Sequence, residues 1–128
     1  MIILDTHAWI WWLSAPEKLS KGAEREIRSA KRIGVSAISC MEVATLVAKG
    51  RIELDRDPLD WMLAALEMPR VELLPLSPAI AVRASTLDPD FHGDPADRIL
   101  VASTLLESAR LVTKDGKIRE YLKSEAIW

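Results

Sequence analysis

The chain has 128 residues, of which 49% are hydrophobic and 28% are charged, and its formal net charge is −2. This length fits one domain spanning residues 1–128. The hydrophobic fraction excludes a disordered chain. The net charge excludes a protein that binds nucleic acid through its overall charge alone. Cys40 is the only cysteine, so no internal disulfide can form. The sequence has no signal-peptide pattern, which predicts a cytoplasmic chain. It also has no run of about 18 apolar residues, which predicts that the chain crosses no membrane.

Short apolar runs alternate along the chain with segments of helical period. In chain order we predict a strand over 2–4, a helix over 6–13, a helix over about 20–32, a strand over 35–38, a helix over about 40–49, a helix from 58 that ends at 69, a strand over 71–74, a helix from 78, a loop over 87–93, a helix over 95–108, a strand over 111–113, a helix from 115 and a short edge strand over 126–128. This order predicts an α/β fold: a three-layer α/β/α sandwich with a mainly parallel sheet of four or five strands.

Acidic residues recur where strands and helices meet. Asp5 follows the first strand, Glu42 lies soon after the second, and Asp115 follows the fourth. Asp97 lies near the start of the helix before the fourth strand. Because ligands of open α/β sheets bind beyond the carboxyl ends of the strands, we expect these acids to converge.

Each acid also fits a purely structural role, because carboxylates at helix N-termini cap free N–H groups and complement the helix dipole. Ser39 and Glu42 match a capping box. Asp94 is a good N-cap before Pro95, and Asp115 could cap the last helix.

Asp97 is harder to explain as a cap. It shares a helix face with Val101 and Thr104, on the apolar stripe that faces inward. A carboxylate there is costly unless it is paired or binds a cation. Two carboxylates about 4 Å apart repel by roughly 4 kcal/mol at an effective dielectric near 20, so converging acids must be protonated or bind a cation. A ligand set of oxygens alone favours a hard ion such as Mg²⁺ or Mn²⁺.

With these residues in place, the sequence resembles the PIN-domain ribonucleases, and most closely the VapC-like toxins of type II toxin–antitoxin pairs. The resemblance covers essentially the whole chain. It rests on four segments that occur in the family's order: LDTHAWIWWL, ISCMEVATLVAKGRI, DPADRILVAST and LVTKDGKI.

The resemblance implies roles for individual residues. Asp5, Glu42, Asp97 and Asp115 correspond to the four acids of the family's catalytic metal site. Thr113 corresponds to a polar residue that supports the site, and Thr6 and Asp94 are further candidates for this support. Arg98 follows Asp97 and is a candidate contact for substrate phosphate.

The resemblance also implies an activity and partners. The family cleaves RNA internally with Mg²⁺, by attack of metal-activated water on a phosphodiester, and leaves a 5′-phosphate and a 3′-hydroxyl. It further implies a cognate antitoxin that blocks the site, a homodimer, and contact with DNA only through the antitoxin.

Basic, histidine and tryptophan side chains outside these motifs leave alternatives open. Arg25 and Arg28 lie in the most basic stretch, which is either a solvated helix face or a track for RNA phosphates. His7 and His92 are expected to be structural and exposed, respectively. Trp11 points away from the core face of the first helix, so either another element covers it or it meets the antitoxin.

Other functions compete with this interpretation. A phosphatase of the haloacid dehalogenase type needs a second acid two residues after the first, where this chain has His7. A receiver-type signalling domain needs an acid pair at the end of the first strand, where only Asp5 is present. A binding module could use the same acids to hold a partner's arginines without any catalysis.

Overall fold

The structure, a computed structural model, describes residues 1–128. The strands are β1 (Ile2–Leu4), β2 (Ile33–Ser36), β3 (Val71–Leu74), β4 (Arg110–Val112) and β5 (Ala126–Ile127). The helices are α1 (Thr6–Ser14), α2 (Lys21–Ser29), α3 (Ala37–Ala48), α4 (Pro58–Leu66), α5 (Pro78–Ser85), α6 (Pro95–Leu106) and α7 (Gly116–Leu122), with 3₁₀ turns at Pro16–Lys18 and Lys123–Glu125. None of the helices has the length and apolar character needed to cross a membrane.

All five strands are parallel and lie in the order β3-β2-β1-β4-β5. Leu4 is in register with Val35 on one side and with Val112 on the other. The residues that follow β1, β2 and β4 therefore emerge at one edge of the sheet. This carboxyl edge is where the site described below lies.

Apolar side chains alternate between the two faces of the sheet. Ile2 and Leu4 pack into one core cluster with helices from the first half of the chain, among them α1, α2 and α4. Ile3 packs into a second cluster with residues of α6 and α7. Because a strand sends successive side chains to opposite faces, helices cover both faces, which confirms the predicted three-layer α/β/α sandwich with a parallel five-stranded sheet.

The predicted position of β2 was wrong by two residues. We expected the preceding helix to run to about residue 32, but α2 ends at Ser29 and Gly34 lies inside β2. A Cβ atom at Gly34 would lie 2.9 Å from Leu74 Cδ1 and 3.0 Å from Met1 Sδ. Gly34 is therefore explained by close packing within the sheet, and α3 begins at Ala37, three residues before the predicted helix.

Candidate active site

Four carboxylates from four parts of the fold line one cleft at the carboxyl edge of the sheet. Its volume is about 520 Å³. The acids are Asp5 after β1, Glu42 on α3, Asp97 on α6 and Asp115 after β4. The other lining residues are Thr6, His7, Trp11, Leu100 and Lys114.

Asp5 and Asp115 each use one carboxylate oxygen to cap a helix. Asp5 Oδ1 accepts the Ala8 N–H at 2.7 Å at the start of α1. Asp115 Oδ1 accepts the Ile118 N–H at 2.9 Å at the start of α7. Each cap uses one of the two carboxylate oxygens and orients the side chain, so capping and a role in the cleft are compatible.

Glu42 lies in the second turn of α3 and is held by a hydroxyl group from α1. The buried Thr6 hydroxyl donates a hydrogen bond to Glu42 Oε1 and lies 3.0 Å from Ser39 Oγ. The expected capping box of Ser39 and Glu42 was wrong, because α3 begins earlier and Ser36 is its N-cap, accepting the Ile38 N–H at 3.2 Å. Ser39 instead lies buried beside Thr6.

Thr113 lies under the loop that carries Asp115. It is fully buried, and its Oγ1 accepts the Asp115 N–H at 3.1 Å. Its hydroxyl also stabilises the charged form of Asp5. Burial has the larger effect and raises the pKa of Asp5 above its ordinary value, and the negative charge of Asp115 adds to this rise.

The negative charges around the cleft act together on Asp97. Its pKa is raised to about 7, first by desolvation and then by the charges of the surrounding carboxylates. These are Asp94, Asp115, Glu42 and Asp5. The structure therefore brings Asp97 within electrostatic reach of all the predicted site acids.

The raised pKa of Asp97 predicts how stability varies with pH when divalent metal is removed. Because the pKa of Asp97 is higher in the folded chain than the ordinary 3.8, the folded state binds the proton more tightly, and stability falls as pH rises from about 4 towards 7. Allowing for solvent screening of a partly exposed carboxylate, we expect Asp97→Asn to gain about 1–2 kcal/mol over the native chain between pH 5 and pH 8.

Urea unfolding of both proteins in chelator across this range measures the effect. The quantity compared is the difference in unfolding free energy between the two proteins at each pH, because contributions of other groups common to both proteins then cancel. If that difference is flat from pH 5 to pH 8, Asp97 does not carry the repulsion described.

Asp94 has a different position from the other acids. Its Oδ1 accepts the Asp97 N–H at 3.0 Å and caps α6, as expected of an N-cap before Pro95. Its side chain is exposed and does not line the cleft with the other acids. Asp94 therefore orients the first turn that carries Asp97.

His92 was predicted to be exposed but is half-buried against the site. Its Nε2 lies 3.2 Å from Asp97 Oδ2, yet this nitrogen makes no well-directed hydrogen bond. We therefore describe a close contact and not a hydrogen bond, since the distance suits one but the direction does not. His92 Nδ1 accepts the Asp94 N–H at 3.3 Å. No sequence signal pointed to this contact, because it depends on the path of an irregular loop.

Arg98 was a candidate contact for substrate phosphate, but its guanidinium is used within the fold. Nε donates to Ala84 O at 2.8 Å, and Nη1 donates to Phe91 O at 3.0 Å and His92 O at 3.2 Å. A longer contact of 3.5 Å reaches Leu87 O. Arg98 thus ties the loop 87–93 to α5 and α6, and the phosphate role has no structural support.

Arg25 and Arg28 are not brought to the cleft. Arg110 begins β4 at the opposite edge of the sheet, and its Nη1 lies 3.5 Å from Glu26 Oε1. The second half of α2 is therefore near that opposite edge. Arg28 is exposed and pairs with Glu24 on its own helix, so the solvated-face interpretation is the one that the structure favours.

Lys114 is the cation that lies in the cleft itself, and the sequence pattern did not single it out. It separates Thr113 from Asp115, and its Nζ lies 5.9 Å from the centre of the Trp11 ring. The available signal was its place inside the motif LVTKD. His7, expected to be structural, is exposed and lines the same cleft.

A metal ion could be held here only with help from water or substrate. No three His, Cys, Asp or Glu side chains are gathered closely enough to ligate one ion directly. Mg²⁺ usually binds proteins through one or two carboxylates and keeps several waters. The oxygen donors and the mutual repulsion of the acids therefore fit a hydrated hard ion.

Comparison with known protein families and sequences gives concordant results. The family model described as "PIN domain" matches residues 2–123. Ribonuclease VapC22 of Mycobacterium tuberculosis is 37% identical over 120 residues, which cover 94% of this chain and 91% of that protein.

Solved structures share the fold at lower identity. A toxin–antitoxin complex from Klebsiella pneumoniae matches with a TM-score of 0.71 and 17% identity, covering 100% of this chain and 97% of that one. VapBC2 from Rickettsia felis, bound to a DNA fragment from its promoter, matches with a TM-score of 0.69 and 17% identity over 94% of this chain and 92% of that one.

Proposed function

Because the chain belongs to the PIN-domain family, we propose that it is a metal-dependent endoribonuclease and the toxin of a toxin–antitoxin pair, acting in the cytoplasm as one PIN-like domain over residues 1–128. One observation carries the proposal: carboxylates from four separate parts of the chain line one cleft. The similarity to a protein named as a ribonuclease supports RNA as the substrate.

We propose that Asp5, Glu42, Asp97 and Asp115 hold Mg²⁺, for which Mn²⁺ can substitute. The raised pKa values of Asp97 and Asp5 support a cation, since it would offset the burial and repulsion that raise them. When bound, the ion supplies Lewis acidity that stabilises charge on a phosphodiester and makes water a better nucleophile.

The chain's own residues then have distinct tasks. Thr6 orients Glu42, and Thr113 supports Asp5 and the loop of Asp115. Asp94 fixes the first turn of α6, which carries Asp97. These residues hold the acids in place before substrate arrives, which lowers the cost of ordering them during the reaction.

Partners follow from the family. The structural relatives named as toxin–antitoxin complexes support an antitoxin partner, and the DNA fragment in the Rickettsia felis complex supports contact with DNA through that partner. We also propose a homodimer. The edge strand β3 leaves Leu73 50% exposed, and Leu76 just beyond it is 50% exposed, which provides apolar surface for a second copy.

A non-catalytic binding module is the main competing function, because an acidic cleft could hold a partner's arginines. A haloacid-dehalogenase-like phosphatase is less well supported, since His7 stands where its second acid is needed. Metal-dependent RNA cleavage separates the three.

We expect the purified chain to cut single-stranded RNA with Mg²⁺ or Mn²⁺ and to lose this activity in chelator, because the ion that would supply Lewis acidity is then removed. End mapping of the products should find 5′-phosphates and 3′-hydroxyls. A nuclease-free preparation that cuts no RNA with either metal would contradict the proposal and favour the binding module.

A further inference from the structure

Trp11 is the large aromatic side chain in the wall of the acidic cleft. It lies on α1, six residues after Asp5, and is only half-buried. Trp9 on the same helix is fully buried against Trp61. Trp11 and Trp12 both pack on the edge of the core, but only Trp11 also lines the cleft. Trp11 therefore combines a packing contact with a surface in the cleft that the carboxylates also line.

Other side chains fix the orientation of the Trp11 ring. The Trp128 ring meets it edge-on with centroids 5.8 Å apart, and the His7 ring lies 5.6 Å away, one helical turn earlier. Lys114 Nζ is 5.9 Å from the ring centre, within the range of a cation–π contact. A ring held in this way loses little conformational freedom when a flat ligand stacks on it.

The combination of aromatic ring, cation and acidic cleft selects one kind of ligand. Single-stranded RNA is recognised by stacking its unpaired bases on aromatic side chains while basic side chains contact its phosphates. Lys114 is a cation beside the Trp11 ring in the cleft. A partner that offered only apolar surface would bury the carboxylates without a compensating charge, which is costly.

We propose that Trp11, supported by His7 and Trp128 and flanked by Lys114, is a stacking platform for an unpaired RNA base adjacent to the phosphodiester that lies at the carboxylates. This inference rests on the proposed function for its substrate class. It adds a requirement that the acids alone do not impose: the RNA must be unstacked at the point of binding.

The test compares strands of equal length that differ only in their bases. Affinity is measured by fluorescence anisotropy for labelled oligoadenylate or oligouridylate and for an abasic ribose-phosphate strand of the same length, with Asp97→Asn as the background to prevent cleavage. We expect Trp11→Leu to weaken binding of the base-containing strands about tenfold, within the range of base–aromatic stacking. Binding of the abasic strand should not change, and Trp11→Phe should retain part of the affinity.

Trp12→Leu is the matched control, because it removes an indole from the next position of the same helix but outside the cleft. An equal loss of affinity for all strands would show that Trp11 is only structural. No loss of affinity would favour the antitoxin as the ligand of Trp11. Either result overturns the stacking platform, as does failure to bind any of the strands. Cleavage by the unsubstituted chain is measured separately. If the chain cleaves RNA but Trp11→Leu does not weaken binding, the proposed nuclease function holds and the stacking platform fails. If Trp11→Leu weakens binding of the base-containing strands only but the chain does not cleave, the platform holds and the nuclease function fails.

Discussion

Asp97→Asn is expected to lower RNA cleavage by at least about 100-fold in Mg²⁺ while the chain stays folded, a loss comparable to removing one key group that binds a metal or developing charge. The reason is that Asp97 is partly desolvated and feels the charges of all the other cleft acids, which together raise its pKa to about 7. Asn keeps the size of the side chain but removes the charge. Initial rates on a labelled RNA, with far-ultraviolet circular dichroism of the same sample, measure both effects.

Asp94→Asn is the matched control for this loss. Asp94 lies three residues earlier on the same turn, but it is exposed and serves as the N-cap of α6. Asn caps helices about as well as Asp, so cleavage should stay within a few-fold of the native rate. The proposed division between the acids would be wrong if the two substitutions reduced cleavage equally.

Arg98→Ala is expected to destabilise the chain by about 3 kcal/mol, since hydrogen bonds to charged groups are worth about 1.5–3 kcal/mol and are not additive. The guanidinium bonds Ala84 O, Phe91 O and His92 O, and no other side chain replaces it. We expect Arg98→Lys to recover little of this, because an ammonium cannot reproduce a planar fork of donors.

Urea unfolding measures the loss, and amide hydrogen exchange should show faster opening in residues 87–93 than elsewhere. Arg83→Ala, an exposed arginine on α5, is the control and should change stability by no more than about 0.5 kcal/mol. If Arg98→Lys is as stable as the native chain, Arg98 does not hold the loop in the manner described.

The order of elements could be predicted from the sequence because apolar period and cap residues are local signals. Asp57, Ser77, Asp94 and Asp115 all cap helices in the structure as their neighbouring sequence suggests. The strand order could not be predicted, because pairing depends on contacts between distant segments.

The error at β2 has a physical cause. Gly34 looks like a helix stop locally, but it is required by contact with Leu74 and Met1, which are far away in sequence. The shift moved Ser39 from a supposed cap into a buried position beside Thr6. The convergence of the acids survived the error, since it depends only on which edge of a parallel sheet each loop leaves.

The roles of Arg98 and His92 were beyond prediction for a related reason. Both depend on the course of the loop 87–93, which has no period, and on carbonyl groups that every residue carries. A long basic side chain beside an acid of the cleft looks the same in sequence whether it contacts a substrate or the backbone.

The capping bonds of Asp5 and Asp115 affect how related chains should be read. Asp5 caps α1 and Asp115 caps α7, in addition to any catalytic task. A related chain that had lost nuclease activity would therefore still be more stable if it kept these two acids. Glu42 and Asp97 cap no helix. Their replacement by neutral residues is therefore the more informative sign that a relative no longer cuts RNA.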